Sequence, residues 1–227
     1  YERELELCQK SGGDVEKYRR LSFNVFQLEQ IRLGLEHGLD VESYTDPKLT
    51  WVEMECAREL QESGLDMSAY MDKGFTLLQC GEILTGKKSG VDVSIYAHRR
   101  FLEDQMRQIR RGLEEGLDVS VYADPSYDGG QMREIRRGLA DGLNVSVYAS
   151  HEFRAAVMRA LRKALLLGED LSEYGRAGYG GKELLDLARG KKDGNPDILS
   201  YLEKGFHADQ LAKINDAYEA GVIISPY

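Results

Sequence analysis

Three kinds of residue recur in this chain at spacings that could do chemistry. Aspartates stand 26 residues apart at Asp40, Asp66, Asp92, Asp118 and Asp170, with Asn144 filling the one gap and Asp197 following. Tyrosines keep the same beat at 18, 44, 70, 96, 122, 148 and 174, then at 201 and 227 after one extra residue in "GNPD". Arginines come in a triplet: Arg107, Arg110 and Arg111 return as Arg133, Arg136 and Arg137, then as Arg159, Arg162 and Lys163. Carboxylates could hold a hard cation, tyrosine rings could stack on bases or peptides, and guanidinium forks could take phosphate or carboxylate.

Each column also has a plainer use. Aspartates one repeat apart cannot share an ion that needs oxygens at about 2.3–2.6 Å. Asp is, however, a strong helix N-cap, and the "V-S-x-Y" that follows fits a short helix. A Tyr on the inner face of such a helix is core, with its hydroxyl at the rim. At 100° per residue, Arg110, Arg136 and Arg162 flank the apolar stripe of their helices, positioned to bridge to an Asp or Glu on the adjacent repeat. The outer columns, with Arg107, Arg111, Arg133, Arg137, Arg159 and Lys163, read either as a basic strip or as a solvated face with local ion pairs.

Other chemistry finds little support. His37, His98, His151 and His207 fall in different columns and pair with no recurrent Cys or Ser, so neither a metal nor a catalytic site is expected. "TGKKSG" (85–90) and "RGKKDG" (189–194) look suited to phosphate. They align with helix C-termini, where the macrodipole favours lysine. No cofactor site emerges.

The elements that position these columns are legible. An aromatic or Leu opens each unit near 23, 49, 75, 101, 127, 153, 179 and 206, leaving a partial unit over 1–22. Asn24 with Gln27, Thr50 with Glu53, Thr76 with Gln79 and Asp128 with Gln131 have capping-box spacing. The next residue is apolar (Leu28, Met54, Cys80, Met106, Met132), completing a hydrophobic staple. The helix runs about 12 residues and stops at a glycine, Gly38, Gly64, Gly90, Gly116 or Gly142, the usual left-handed C′ residue. Within the helix a Gly or Ala recurs (Gly34, Gly86, Gly112, Gly138, Ala164), and its cost suggests close approach of neighbouring backbones.

Gly38, Gly64, Gly116, Gly142, Asp40, Asp66, Asp118, Tyr44, Tyr70 and Tyr122 are therefore read as structural. One unit of 26 residues cannot bury its own apolar face, whereas stacked copies share a core. The expectation is an all-α solenoid of about eight repeats, each a long helix and a short Asp-capped helix, forming a single domain over 1–227. The wording "QMREIRRGL" and "GLDVSVYADP" resembles short α-helical tandem repeats in large multidomain proteins of phages and conjugative elements of gut Firmicutes. That resemblance implies an accessory or interaction segment and brings no catalytic residues with it.

Charge and composition narrow the partners. A net charge of −9 opposes indiscriminate nucleic-acid binding. Residues 93–163 nonetheless carry 12 basic and 10 acidic side chains, so the middle is locally basic. Cys8, Cys56 and Cys80 lack metal or disulfide spacing, which suggests a reduced, cytoplasmic protein. No apolar run reaches the roughly 18–20 residues of a membrane span. The chain starts at Tyr1 in mid-repeat, as a piece of something longer would. The expected partner is a protein, or another part of the parent polypeptide. Membrane and metal are not expected, and nucleic acid only weakly. The alternative is a module for an anionic ligand, nucleic acid or nucleotide, held by the Arg strip.

Overall fold

The computed structural model describes residues 1–64, 70 and 73–222, and among these there are 12 α-helices, four short 3-10 helices and no strand. The protein is all-α. Eight of the helices are 12 residues long: α3 Val25–Glu36, α4 Trp51–Glu62, α5 Leu77–Lys88, α6 Glu103–Glu114, α7 Gly129–Ala140, α8 Ala155–Leu166, α10 Gly181–Lys192 and α12 Ala208–Glu219. The others are α1 Glu2–Lys10, α2 Val15–Arg20, α9 Ser172–Arg176 and α11 Ile198–Glu203. Successive long helices start 26 residues apart, and 27 at the last step.

Local chemistry sets both ends of each helix. All four expected capping boxes form, at Asn24, Thr50, Thr76 and Asp128. At the other end Gly38, Gly64, Gly90, Gly116 and Gly142 adopt φ between 68° and 75°. Leu39, Leu117 and Leu143 donate their N–H groups back to the carbonyls of Gly34, Gly112 and Gly138 at 2.9 Å. That is the bond of a Schellman stop, and it satisfies carbonyls the helix leaves open. Leu65 and Asp66 lie outside the described residues.

The short second helix is a single turn in four of its copies. Over Val41–Ser43, Val93–Ile95, Val119–Val121 and Val145–Val147 it is one 3-10 turn, not an α-helix. In two of these the reason lies just beyond Tyr, where Asp46 and Asp124 accept from the N–H of Lys48 and Ser126 at 2.9 Å. These Asx turns end the helix. At α2 and α11 the corresponding segment is a six-residue α-helix.

The chain divides into two compact units, Tyr1–Arg110 and Arg111–Tyr227. In the first, α1 packs on α3, α3 on α4 and α4 on α5. In the second, α7 packs on α8, α8 on α10 and α10 on α12. Each core is built from the same columns. The staple residues Leu28, Met54, Met132, Met158, Leu184 and Leu211 are all fully buried, and such a side chain contributes about 1.5–3 kcal/mol on leaving water.

One tie between repeats uses a residue that already caps its own helix. The Gln27 side chain accepts from the Asn24 N–H at 2.9 Å and donates through Nε2 to the Leu49 carbonyl at 2.7 Å. Gln79 donates in the same way to Phe101 at 2.7 Å, and Gln131 to Phe153 at 2.8 Å. Only an amide can do both, because a carboxylate such as Glu53 has no proton to donate.

Candidate functional site

The aspartate column is used for capping. Asp40, Asp92 and Asp118 each accept from the backbone N–H two residues on, at 3.0–3.2 Å, and Asn144 does the same for Ser146. Hydrogen bonds from the Ser94 and Ser120 hydroxyls, then from their N–H groups, hold the Asp92 and Asp118 carboxyls below the usual range. Asp170 accepts from Ser172 at 2.9 Å. Asp197 departs from the pattern. Its side chain caps nothing, and Asn195 accepts from its N–H instead. The extra residue in "GNPD" shifts the capping role to Asn195. Among the described residues no group of three or more His, Cys, Asp or Glu side chains could hold a metal ion.

The tyrosine column lies deeper than the sequence suggests. Tyr44, Tyr96, Tyr122 and Tyr148 are at most 1% exposed, and their hydroxyls point inward rather than to a rim. Tyr44, Tyr96 and Tyr148 donate to the carbonyls of Gln30, Glu82 and Glu134 at 3.4, 3.0 and 3.2 Å. Burial pushes the Tyr44, Tyr122 and Tyr148 hydroxyls well above their ordinary range. These rings offer no stacking platform.

Each buried ring explains the glycine inside its helix. A Cβ on Gly34, Gly86, Gly112 or Gly138 would lie 1.8–2.0 Å from the hydroxyl oxygen of the Tyr ten residues on. The glycine makes room for a tyrosine of its own repeat, not for a neighbouring backbone. Where Leu60 stands in the glycine's place, Tyr70 is only half-buried.

The thiols and histidines are dispersed. Burial pushes Cys56 up to about 12 and Cys8 and Cys80 to about 11, so none is a ready nucleophile. His37 Nδ1 lies 2.6 Å from Glu62, and His98 and His207 are exposed. The structure adds a contact that column reading misses. His151 stacks on Tyr127, with ring centroids 3.9 Å apart, and its Nε2 is 3.2 Å from Ser126 Oγ. The Asp124 carboxylate bonds to Ser126 and not to His151, so the order needed to orient a general base is missing.

The arginines hold the largest concentration of charge. A buried or half-buried acid or amide accepts from the Arg 28 residues later, on the next long helix. Glu4 pairs with Arg32 at 2.6 Å, Gln30 with Arg58 at 3.1 Å, Glu82 with Arg110 at 2.9 Å and Glu134 with Arg162 at 3.1 Å. Where Cys56 replaces the acceptor, Leu84 replaces the Arg, and Ala160 is matched by Ala188. This coupling shows in the sequence only once the offset is known. Arg136 pairs with Glu115 within the second unit.

The outer columns are not uniformly free. Arg107 bonds to Glu82 at 2.7 Å. Around the fully buried Glu134 carboxylate stand Arg159 and Arg162, at 3.3 and 3.1 Å, with Arg133 and Arg137 at 3.7 and 3.8 Å. One carboxylate therefore faces four guanidiniums, with Asp141 taking a second bond from Arg162 at 3.0 Å. Arg133 Nε is buried without a hydrogen-bond acceptor. Arg111 and Lys163 are exposed and form no ion pair among the described residues. The result is a surface of excess positive charge on α7 and α8. Comparison with protein-family models, with curated proteins and with solved structures returned no match.

Proposed function

We propose that the chain is a non-catalytic repeat scaffold, an α-solenoid whose exposed helix faces mediate protein–protein interaction. The observation that carries this reading is a division of labour within each repeat. Inward columns keep one chemical type in most repeats, with breaks such as Cys56, Leu60 and Ala160, and are consumed by caps, stops, buried rings and ties from Arg to Glu or Gln. The outward columns change along the chain, from aromatic and acidic on α3 and α4 to basic on α7 and α8. Evolutionary freedom on an exposed face of constant geometry is how repeat proteins build binding surfaces. The 26-residue register runs through every repeat, which supports a continuous stack.

The partner in this reading is a protein, or another part of a longer parent polypeptide, and the setting is the reduced cytoplasm. The parent's place in a phage or conjugative element rests on the wording of the repeat alone. Among the described residues no helix is long and apolar enough to cross a membrane.

A second reading draws on the Glu134 cluster, where four guanidiniums around one carboxylate could take a phosphate. Salt separates the two, since phosphate contacts weaken steeply as ionic strength rises. The test is titration of the chain with acidic polypeptides and with DNA and RNA over a salt series. A protein ligand lost on Arg137→Glu with Lys163→Glu supports the scaffold. Nanomolar, sequence-selective nucleic-acid binding overturns it.

A further inference from the structure

The first unit carries an apolar patch that its own repeats do not cover. Phe26 is 57% exposed and Trp51 43%, with their rings 6.1 Å apart, and Val25 and Val52 are each 39% exposed. These residues occupy the first turns of α3 and α4. The same two columns hold Glu103 and Asp104 on α6, Gly129 and Gly130 on α7, and Ala155 and Ala156 on α8. In these two columns exposed aromatics stand only on α3 and α4. Further along the same faces stand Glu29, Glu55 and Glu59, one turn and two turns on, so the patch is apolar with an acidic flank.

In the second unit these columns have the opposite character. Small residues, Gly130 and Ala156, replace the aromatics, and Arg133, Arg137, Arg159 and Lys163 replace the acids. Side chains of Arg133, Arg137 and Arg159 are 39%, 50% and 48% exposed, and they share one buried carboxylate. We propose that a second copy of this chain is a partner, the α3–α4 face of one copy docking on the α7–α8 face of another. This rests on the reading of outward faces as binding surfaces and names what one of them binds.

Three features favour a second copy. The charges are complementary, and half-exposed guanidiniums are the groups that lie well over Trp and Phe faces. The small residues at 130 and 156 leave room for the rings at 26 and 51. The spacing also matches by construction, because α3 packs on α4 and α7 on α8 in the same repeat. Acids and bases on two such faces meet helix for helix, whereas phosphates on a nucleic-acid strand lie closer together than one repeat.

The chain has one tryptophan, Trp51, and it sits in the proposed contact. Its emission should shift to the blue with rising concentration at about 0.05 M salt and return at about 0.5 M. Sedimentation should show the mass rising above that of the 25.6 kDa monomer over the same range. Glu29→Lys with Glu55→Lys should abolish association, and so should Arg137→Glu with Lys163→Glu. Mixing these two monomeric variants should restore it, because each then carries the charge the other lacks. Melting curves must show both variants folded. Should either melt, Phe26→Ser with Trp51→Ser, read by sedimentation, takes its place and should likewise be monomeric. A chain that stays monomeric at about 100 µM in low salt overturns the proposal, as does a mixture that fails to associate. Titration with polyglutamate separates this failure from that of the broader reading. Saturable binding lost in the Arg137→Glu, Lys163→Glu variant leaves the scaffold standing without the second copy, and no binding removes both.

Discussion

The Tyr148 hydroxyl occupies the space that a side chain on Gly138 would need, with a Cβ built on Gly138 falling 1.8 Å from that oxygen. In a helix interior Gly→Ala ordinarily gains up to about 1 kcal/mol. Here Gly138→Ala should lose stability, by about 2 kcal/mol or more, because the ring must leave its site. Tyr148→Phe alone should cost about 1 kcal/mol for the bond to the Glu134 carbonyl. Combined with Tyr148→Phe, the alanine should be better tolerated, leaving the Val145 Cγ1 contact at 2.8 Å to be relieved. Equal costs with and without the hydroxyl, measured by denaturant unfolding, would separate the two columns.

Gly116 differs in kind from Gly138. It has φ of 69°, and nothing lies within 4 Å of a Cβ there. Gly116→Val should lose more than about 1 kcal/mol through backbone strain alone. Gly116→Asn should be milder, since Asn tolerates the left-handed region. A valine variant that melts like the parent would contradict the stop.

Asp118 is read as a cap, so Asp118→Ala should lower the melting temperature while Asp118→Asn leaves it almost unchanged, as Asn144 caps the same turn in the next repeat. The folded carboxyl sits below its ordinary range. Its contribution is therefore present above the unfolded value of about pH 4 and fades as pH falls through the lower folded value. Asp118→Asn should flatten that part of the acid limb of stability against pH.

Gln131→Glu isolates the tie between repeats. The carboxylate still accepts from the Asp128 N–H, so the helix cap persists, but the donor to Phe153 is gone. Cost should be about 1 kcal/mol or more, as a buried carbonyl then faces a carboxylate. Amide exchange at the start of α8 should speed up more than within α7. Uniform change across both would place the effect in the cap.

On a purely solvated outer face, reversal of Arg107, Arg133 and Arg159 to Glu would be harmless to folding. The structure revises this. Arg107 and Arg159 bond to Glu82 and Glu134, which are largely or wholly buried. The triple reversal should lower stability by several kcal/mol, since it sets carboxylates beside buried carboxylates. Arg137→Glu with Lys163→Glu should cost less than the triple reversal, since of the two only Arg137 approaches Glu134, at 3.8 Å, and Lys163 is exposed. Thermal melts of the two variants side by side test the difference.

Much of each repeat was legible because its causes are local. Thr76 and Gln79 are three residues apart, Gly116 acts on its own φ, and Asp118 reaches only to Ser120. Interactions of that range depend on sequence neighbours and leave a readable pattern. The sequence by itself therefore determined the helices, their ends, their register and the inward face. Only the tertiary structure decided why Gly138 must be glycine, since its reason is a ring ten residues away. The same holds for the carboxylate shared by four arginines, with partners 25 and 28 residues distant. Which of several acids an Arg meets depends on how one helix is set against the next. That setting follows from side-chain packing across the repeat, which no single window of sequence contains.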